Sequence, residues 1–402
     1  MAAERSVATL LRQIAPVGTD PKRGGYSRHV FDPAERELRE WFTERATDLG
    51  LDLETDRNGN IWAWWGAPGA DAVITGSHLD SVPGGGPLDG PLGVATALAA
   101  IAALQAEGYR PSRPCAVVVF AEEEGARFGI ACLGSRLLSG AISVERALSL
   151  TDATGTTFGE AASAFGLDVA HLGVDRAALD RIGVFVELHV EQGRGLIDLG
   201  APVAVASSIL AHGRWRIRVR GQGNHAGTTE MADRRDPMVV AAQAILASRE
   251  VALAARGVRA TVGRIEPVPG GTNVIANQVS TWLDVRAGSD AETLDAVAAI
   301  SEAARSAAVA EGCEIDIVEE SYGGEVVFDP ALRDRLAASL GGAPILPTGA
   351  GHDAGVLASV VPTAMLFVRN PTGISHAPEE GATDEDCEAG AEALVTVLRG
   401  LL

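Results

Sequence analysis

The chain holds a single lysine, Lys22, in 402 residues. That scarcity argues against Schiff-base chemistry and against a phosphate-binding loop, which needs Gly-Lys followed by Ser or Thr. Cysteine is equally thin. Cys115, Cys132, Cys313 and Cys387 lie far apart and form no CxxC pair, so they read as free thiols rather than a secreted disulfide framework. Basic charge is short overall, 33 residues against 53 acidic, for a net −20. Such a balance excludes nucleic acid, whose phosphates need Lys and Arg, and an anionic membrane surface. No window approaches the ~20 apolar residues of a membrane span. The N-terminus, MAAERSVATLLRQIAP, reads as an amphipathic helix without the apolar core of a signal peptide. A soluble cytoplasmic protein is expected.

What is present is a chain 47% hydrophobic, of a length that suits two domains. Helical spacing covers 34–49, and Gly50 stops it. Strands are expected at 59–65 and 72–76, an Ala-rich helix at 92–107, and a buried strand within CAVVVFAEEE (115–124), whose unbroken apolar run fits a sheet covered on both faces. Helix is expected to alternate with strand from there to VFVELHVEQG (184–193). Near residue 210 the texture changes. Strand, helix, strand, strand, helix and strand follow at 213–222, 237–255, 258–266, 277–286, 290–311 and 313–319, a complete ferredoxin-like βαββαβ unit. Helix 329–339, a strand at 363–368 and a final helix from 384 then resume the first texture. The expected architecture is α/β: a mixed-sheet α/β/α catalytic domain (1–209 and 321–402) carrying an inserted ferredoxin-like lid and dimerisation domain (210–320).

Chemistry concentrates in TGSHLDSVPGGGPLDGPLGV (75–94). An imidazole, His78, ends a predicted strand, and a carboxylate, Asp89, follows at the start of a helix. His78, Asp89, Glu124, His189 and His376 supply the donor types of a hydrolytic metal centre. Two divalent ions sharing Asp89 would take two further ligands each and leave room for water. Glu123, beside Glu124, is the candidate general base. Asp80 is a candidate for orienting the His78 ring from behind. The tryptophans at 62, 64 and 65 read as core, and His29, His171 and His212 carry no motif.

The set GSHLDSVPGGGPLDGPLGV, FAEEEGARF, ELHVEQG, GNHAGTTEMADRRDP, GGTNVIANQ, LDVR, GAGHDA and SHAPEE resembles the M20 family of metal-dependent amidohydrolases, in its hydantoinase/carbamoylase branch. The resemblance implies that His78, Asp89 and His189 hold one metal and Asp89, Glu124 and His376 the other. It further implies Glu123 as base, His225 and Asn273 as oxyanion donors, Arg286 as the substrate-carboxylate clamp, and Gln192, Gly351 and His352 as substrate contacts. Mn2+ suits the site best, with Zn2+, Co2+ and Ni2+ as alternatives, and a homodimer through the inserted domain is implied. The expected reaction cleaves a ureido C–N bond of an N-carbamoyl-L-amino acid or allantoate and releases ammonia. Two alternatives stand beside it: a dipeptidase or N-acyl-amino-acid hydrolase, and a metal-binding protein without catalysis. The sequence departs from the usual motifs at GTTEM, TNVIAN and HAPEE; no departure falls on a proposed ligand, and Glu230 lies near His225.

Overall fold

A computed structural model describes residues 6–402. The chain divides into two compact units, Met1–Ser208 with Val327–Leu402, and Ile209–Val326.

The first unit is built on a nine-stranded mixed sheet. Its centre runs Cys115–Phe120, Ala72–His78, Ile182–Val190, Thr363–Val368, all parallel. Ile61–Trp65 joins one side antiparallel and Val203–Ile209 the other. The central strands are buried along almost their whole length, and Cys115–Phe120, apolar throughout, has the composition of a strand covered on both faces. One face packs on Pro91–Ala106, Asp384–Leu401 and Val7–Ile14, with Leu98, Ile101, Val117, Val186 and Leu394 in a common core. The other carries Trp62, Trp64, Phe120 and Phe185 in stacked and edge-to-face contacts. The tryptophans are therefore core. Residues 1–5 of the expected N-terminal helix lie outside the described residues.

The expected alternation of helix and strand between 125 and 181 does not occur. Only short helices stand there among the described residues, including Leu133–Ser139, Val144–Leu148 and Phe158–Phe165. Ser143 and Thr157 cap two of them, and Gly140 and Gly166 end the first and third in left-handed backbone. Caps and stops at this spacing leave no room for a strand.

The second unit follows the order strand Ala211–Arg220, helix Pro237–Ala254, strands Arg259–Val268 and Gln278–Ala287, helix Asp290–Ala310, strand Glu314–Gly323. The strands form one antiparallel sheet in the order Glu314–Gly323, Ala211–Arg220, Gln278–Ala287, Arg259–Val268. Trp215, Ile217, Val219, Leu283 and Val285 pack on Val240, Ala244, Val297 and Ile300 of the helices. Pro237–Ala254 is long and apolar enough in composition to cross a membrane, contrary to the expectation that no segment is. Its Val240, Ala241 and Ala244 are instead buried in this packing.

Candidate metal centre

Four of the five candidate ligands leave the carboxyl ends of the parallel strands, or the turns that follow them, and the fifth stands on the loop after Thr363–Val368. His78 closes its strand opposite Phe120, and Glu122, Glu123 and Glu124 follow Phe120 after Ala121. The register Gly76↔Glu187 aligns His78 with His189 one pleat further on, and their rings stand 5.8 Å apart. Open α/β sheets gather ligands at this rim. Asp89 arrives on the glycine-rich turn before Pro91–Ala106. Gly90 there has φ +83°, and a Cβ at that position would come within 2.5 Å of the His78 ring, so the turn closes on the imidazole only without a side chain.

Asp89 faces two ways. Its Oδ1 lies 3.2 Å from His189 Nε2 and 3.5 Å from His78 Nε2. Its Oδ2 lies 3.2 Å from His376 Nε2, which is 3.5 Å from Glu124. Two three-residue groups result, His78–Asp89–His189 and Asp89–Glu124–His376, each with ligand atoms within 4.8 Å of one another.

These residues fit a divalent cation. The Nδ1 atoms of His78 and His189 stand 3.0 Å from the carbonyls of Asp80 and Val190, so each proton belongs on Nδ1 and each Nε2 lone pair points inward. Both Nε2 atoms, and Glu124 Oε1, are buried without a hydrogen-bond partner. Charge tells the same story. Burial, then the Asp89 charge, pushes Glu124 up to about 7. The hydrogen bond to Asp89 lifts His376 to about 9. Burial works against the His78 cation, yet Glu123, Asp80 and Asp89 raise it well above the ordinary value. A crowd of carboxylates is holding protons where a divalent charge would serve.

Glu123 is buried, with Oε2 3.5 Å from His78 Nε2 and Oε1 accepting from Cys132 Sγ at 3.3 Å. Burial drives it well above the carboxylate range. Asp80 differs from the expectation in detail. Its carbonyl meets the His78 ring, while its carboxylate, 3.6 Å from that ring, accepts the N–H groups of Glu123 and Glu124. Gln192 donates through Nε2 to Asp89 Oδ2 at 2.8 Å. Buried His352 has no partner on either ring nitrogen, and its ring stands 4.5 Å from that of His189, tilted by 58°; Gly351 beside it is exposed.

His225, Asn273 and Arg286 stand on the second unit. The ribbon Asn224–His225 pairs with Val274–Ile275, and Ala226 N–H donates to the Asn273 carbonyl. Gly227 N–H donates to His225 Nδ1, which leaves the proton on the exposed ring's Nε2. Arg286 forks onto Asp284 at 2.9 and 3.3 Å.

Several participants carried no signal of their own. Glu122 is buried at φ +54° and accepts the N–H groups of Arg127 and Phe128. Glu187 and Asp353 form a buried pair beneath the site, with Glu187 bonded to Ser77 and to Ala354 N–H. Ser375 and Glu380 flank His376 within SHAPEE, a motif singled out for its histidine alone.

A sequence profile described as peptidase family M20/M25/M40 matches residues 74–400. The N-carbamoyl-L-amino acid amidohydrolase of Geobacillus stearothermophilus is 37% identical over 96% of this chain and 95% of its own. The allantoate amidohydrolase of Escherichia coli (strain K12) is 31% identical over 98% and 97%. The crystal structure of a hydantoinase/carbamoylase family amidase from Burkholderia multivorans superposes with a TM-score of 0.89 at 32% identity, over 98% of this chain and 97% of that one. The chain belongs to peptidase family M20/M25/M40 and is an amidohydrolase of its hydantoinase/carbamoylase branch.

Proposed function

We propose that the protein hydrolyses the ureido C–N bond of a small carboxylate, an N-carbamoyl-L-amino acid or allantoate, and releases ammonia. The observation that carries this reading is the pair of ligand groups sharing Asp89, in a chain whose relatives are named for those substrates. His78, Asp89 and His189 would hold one divalent ion, and Asp89, Glu124 and His376 a second. Mn2+ is the favoured ion for imidazole and carboxylate donors. Bound there, the ions would polarise the substrate carbonyl and make water acidic near neutral pH.

The chain's own residues do the rest. Glu123 takes the proton of the attacking water and returns it to the leaving nitrogen, a task its raised pKa suits. His225, through Nε2–H, and Asn273 donate to the developing oxyanion. Arg286 grips the substrate carboxylate in a planar fork. Gln192, Gly351 and His352 line the substrate, and the unpartnered ring of His352 offers it a buried polar contact. In this reading Ile209–Val326 is a ferredoxin-like lid that also joins two copies into a homodimer, the other unit is catalytic, and the protein works in the cytoplasm.

The test is ammonia release by Mn2+-loaded enzyme from N-carbamoyl-L-amino acids, N-carbamoyl-β-alanine and allantoate, beside dipeptides and N-acyl amino acids. Ammonia from one of the first three supports the reading. Turnover confined to peptides or acyl compounds, or to none of them, overturns it.

A further inference from the structure

Asp89 reaches both ligand groups, so its position matters more than that of any single imidazole. Something must fix it, and its own side chain is committed to the site. The backbone N–H groups of Leu88 and Asp89 precede the helix Pro91–Ala106, whose N-cap, Gly90, has no side chain to offer. They stand on the buried turn ahead of the N-cap, where an N–H needs an acceptor. Here the acceptor comes from the far end of the chain. Glu380 Oε1 takes both, at 2.9 and 3.0 Å. Its Oε2 accepts from Ser375 Oγ at 2.9 Å, and the same hydroxyl lies 3.1 Å from Asp89 Oδ2. The contacts close a ring: Glu380 to the Asp89 backbone, Asp89 carboxylate to Ser375, and Ser375, whose one hydroxyl proton serves Glu380 or Asp89 at a time, back to Glu380.

The packing makes space for this acid. A Cβ on Gly86 would lie 2.4 Å from both Cβ and Oε1 of Glu380. Glu380 itself is 4% exposed and belongs to neither ligand group. A buried carboxylate beside another carboxylate is costly unless hydrogen-bonded, and these three bonds offset part of that cost.

We propose that Glu380 is a positioning residue of the metal centre, fastening the Asp89 turn to the His376 segment and so setting the spacing between the shared carboxylate and the imidazole opposite it. This rests on the reading of Asp89 and His376 as metal ligands. Glu380 acts on the ions only through those two residues.

The experiment titrates Mn2+ into metal-stripped full-length protein by calorimetry, with the thermal midpoint of the metal-free protein recorded alongside. Three variants are compared with wild type: Glu380→Ala, Glu380→Gln and Gly86→Ala. A fourth, His376→Ala, reports on the ligand assignment. Loss of an orienting residue of this kind weakens metal affinity about 10- to 100-fold. That rise in Mn2+ Kd is expected for Glu380→Ala. Gly86→Ala, which keeps every hydrogen-bonding group but crowds Glu380, should show the same. Glu380→Gln keeps an oxygen for the two N–H groups and should recover most of the affinity. His376→Ala should lose one Mn2+ outright. Wild-type Mn2+ Kd in both Glu380→Ala and Gly86→Ala overturns the proposal, even if their metal-free midpoints fall, because a merely structural role moves only the midpoint. If Glu380→Ala does not fold, an unchanged Kd in Gly86→Ala decides against it. Wild-type Mn2+ binding by His376→Ala means that the ligand assignment itself has failed.

Discussion

Glu123→Gln isolates the proton-transfer step. Glutamine keeps the volume of the side chain and an oxygen for Cys132 Sγ, which now sits 3.3 Å from Glu123 Oε1. The backbone stays pinned, because Asp80 accepts the 123 N–H and Cys132 N–H donates to the 123 carbonyl. The capacity to accept a proton is lost, together with the negative charge that faces His78 Nε2 at 3.5 Å. General bases contribute roughly 10²- to 10⁴-fold, which is about 2.7 to 5.4 kcal/mol of barrier at ~1.36 kcal/mol per decade. Burial holds Glu123 well above the usual carboxylate range, nearer the pH at which a base works best, so the upper half of that range is expected. The assay is the initial rate of ammonia release at saturating N-carbamoyl-L-amino acid, with Mn2+ stoichiometry measured on the same sample. Turnover within about tenfold of wild type would refute the assignment. Loss of a bound Mn2+ would instead make Glu123 a ligand.

Other outcomes follow from the same geometry. Glu124 rises from 4.5 to about 7 and His376 from 6.5 to about 9 in the folded protein. Values raised by folding give stability that is present at low pH and lost as pH rises, here across 4.5 to about 7 and 6.5 to about 9. Thermal melts of the metal-free protein should therefore fall through that span, and Mn2+ binding near pH 7 should release protons, seen as a buffer-dependent calorimetric heat; no release would contradict the site's charge balance. Arg286→Ala should raise KM about 10- to 100-fold with a smaller change in kcat, since a charge-assisted fork is worth about 1.5 to 3 kcal/mol; an unchanged KM removes Arg286 from the substrate. His225→Ala should lower kcat by about 10²- to 10³-fold, and equal kcat would dismiss it as an oxyanion donor. Gly90→Ala places a methyl 2.5 Å from the His78 ring at φ +83°, so Mn2+ affinity and the metal-free midpoint should both drop; if neither moves, the turn does not shape the site.

Much of this architecture is legible in the chain because its strands announce themselves. Cys115–Phe120 is an unbroken apolar run with glutamates beginning two residues beyond it, while Ala72–His78 and Ile182–Val190 open largely apolar and carry His78 and His189 at or next to their ends, and the end of a parallel strand is where chemistry collects. That places His78, Glu124 and His189 without coordinates. Other features depend on contacts that spacing does not encode. Val203–Ile209 opens on Val-Ala-Val-Ala, is interrupted by two serines, and sits antiparallel beside Thr363–Val368, a pairing that so short a run does not announce. Segment 125–181 is apolar enough to suggest strands, but its Ser, Thr and Gly punctuation builds helices of four to eight residues. Glu380 was in view within SHAPEE, yet its role lies in two N–H groups some 290 positions away.

The supporting carboxylates share one device. Asp80 takes the N–H groups of Glu123 and Glu124, Glu122 those of Arg127 and Phe128, Glu380 those of Leu88 and Asp89, and Glu187 that of Ala354. A backbone N–H orients a carboxylate and stabilises it without bringing a formal charge. A guanidinium in the same place would orient it as well, but would also cancel the field that a divalent ion needs. The ion-pair partners of Asp89 are accordingly the imidazoles of His78, His189 and His376, each able to give up its charge when a metal arrives. The choice of amides over arginines at this rim thus keeps negative potential there, and the fold leaves its neutralisation to the cation.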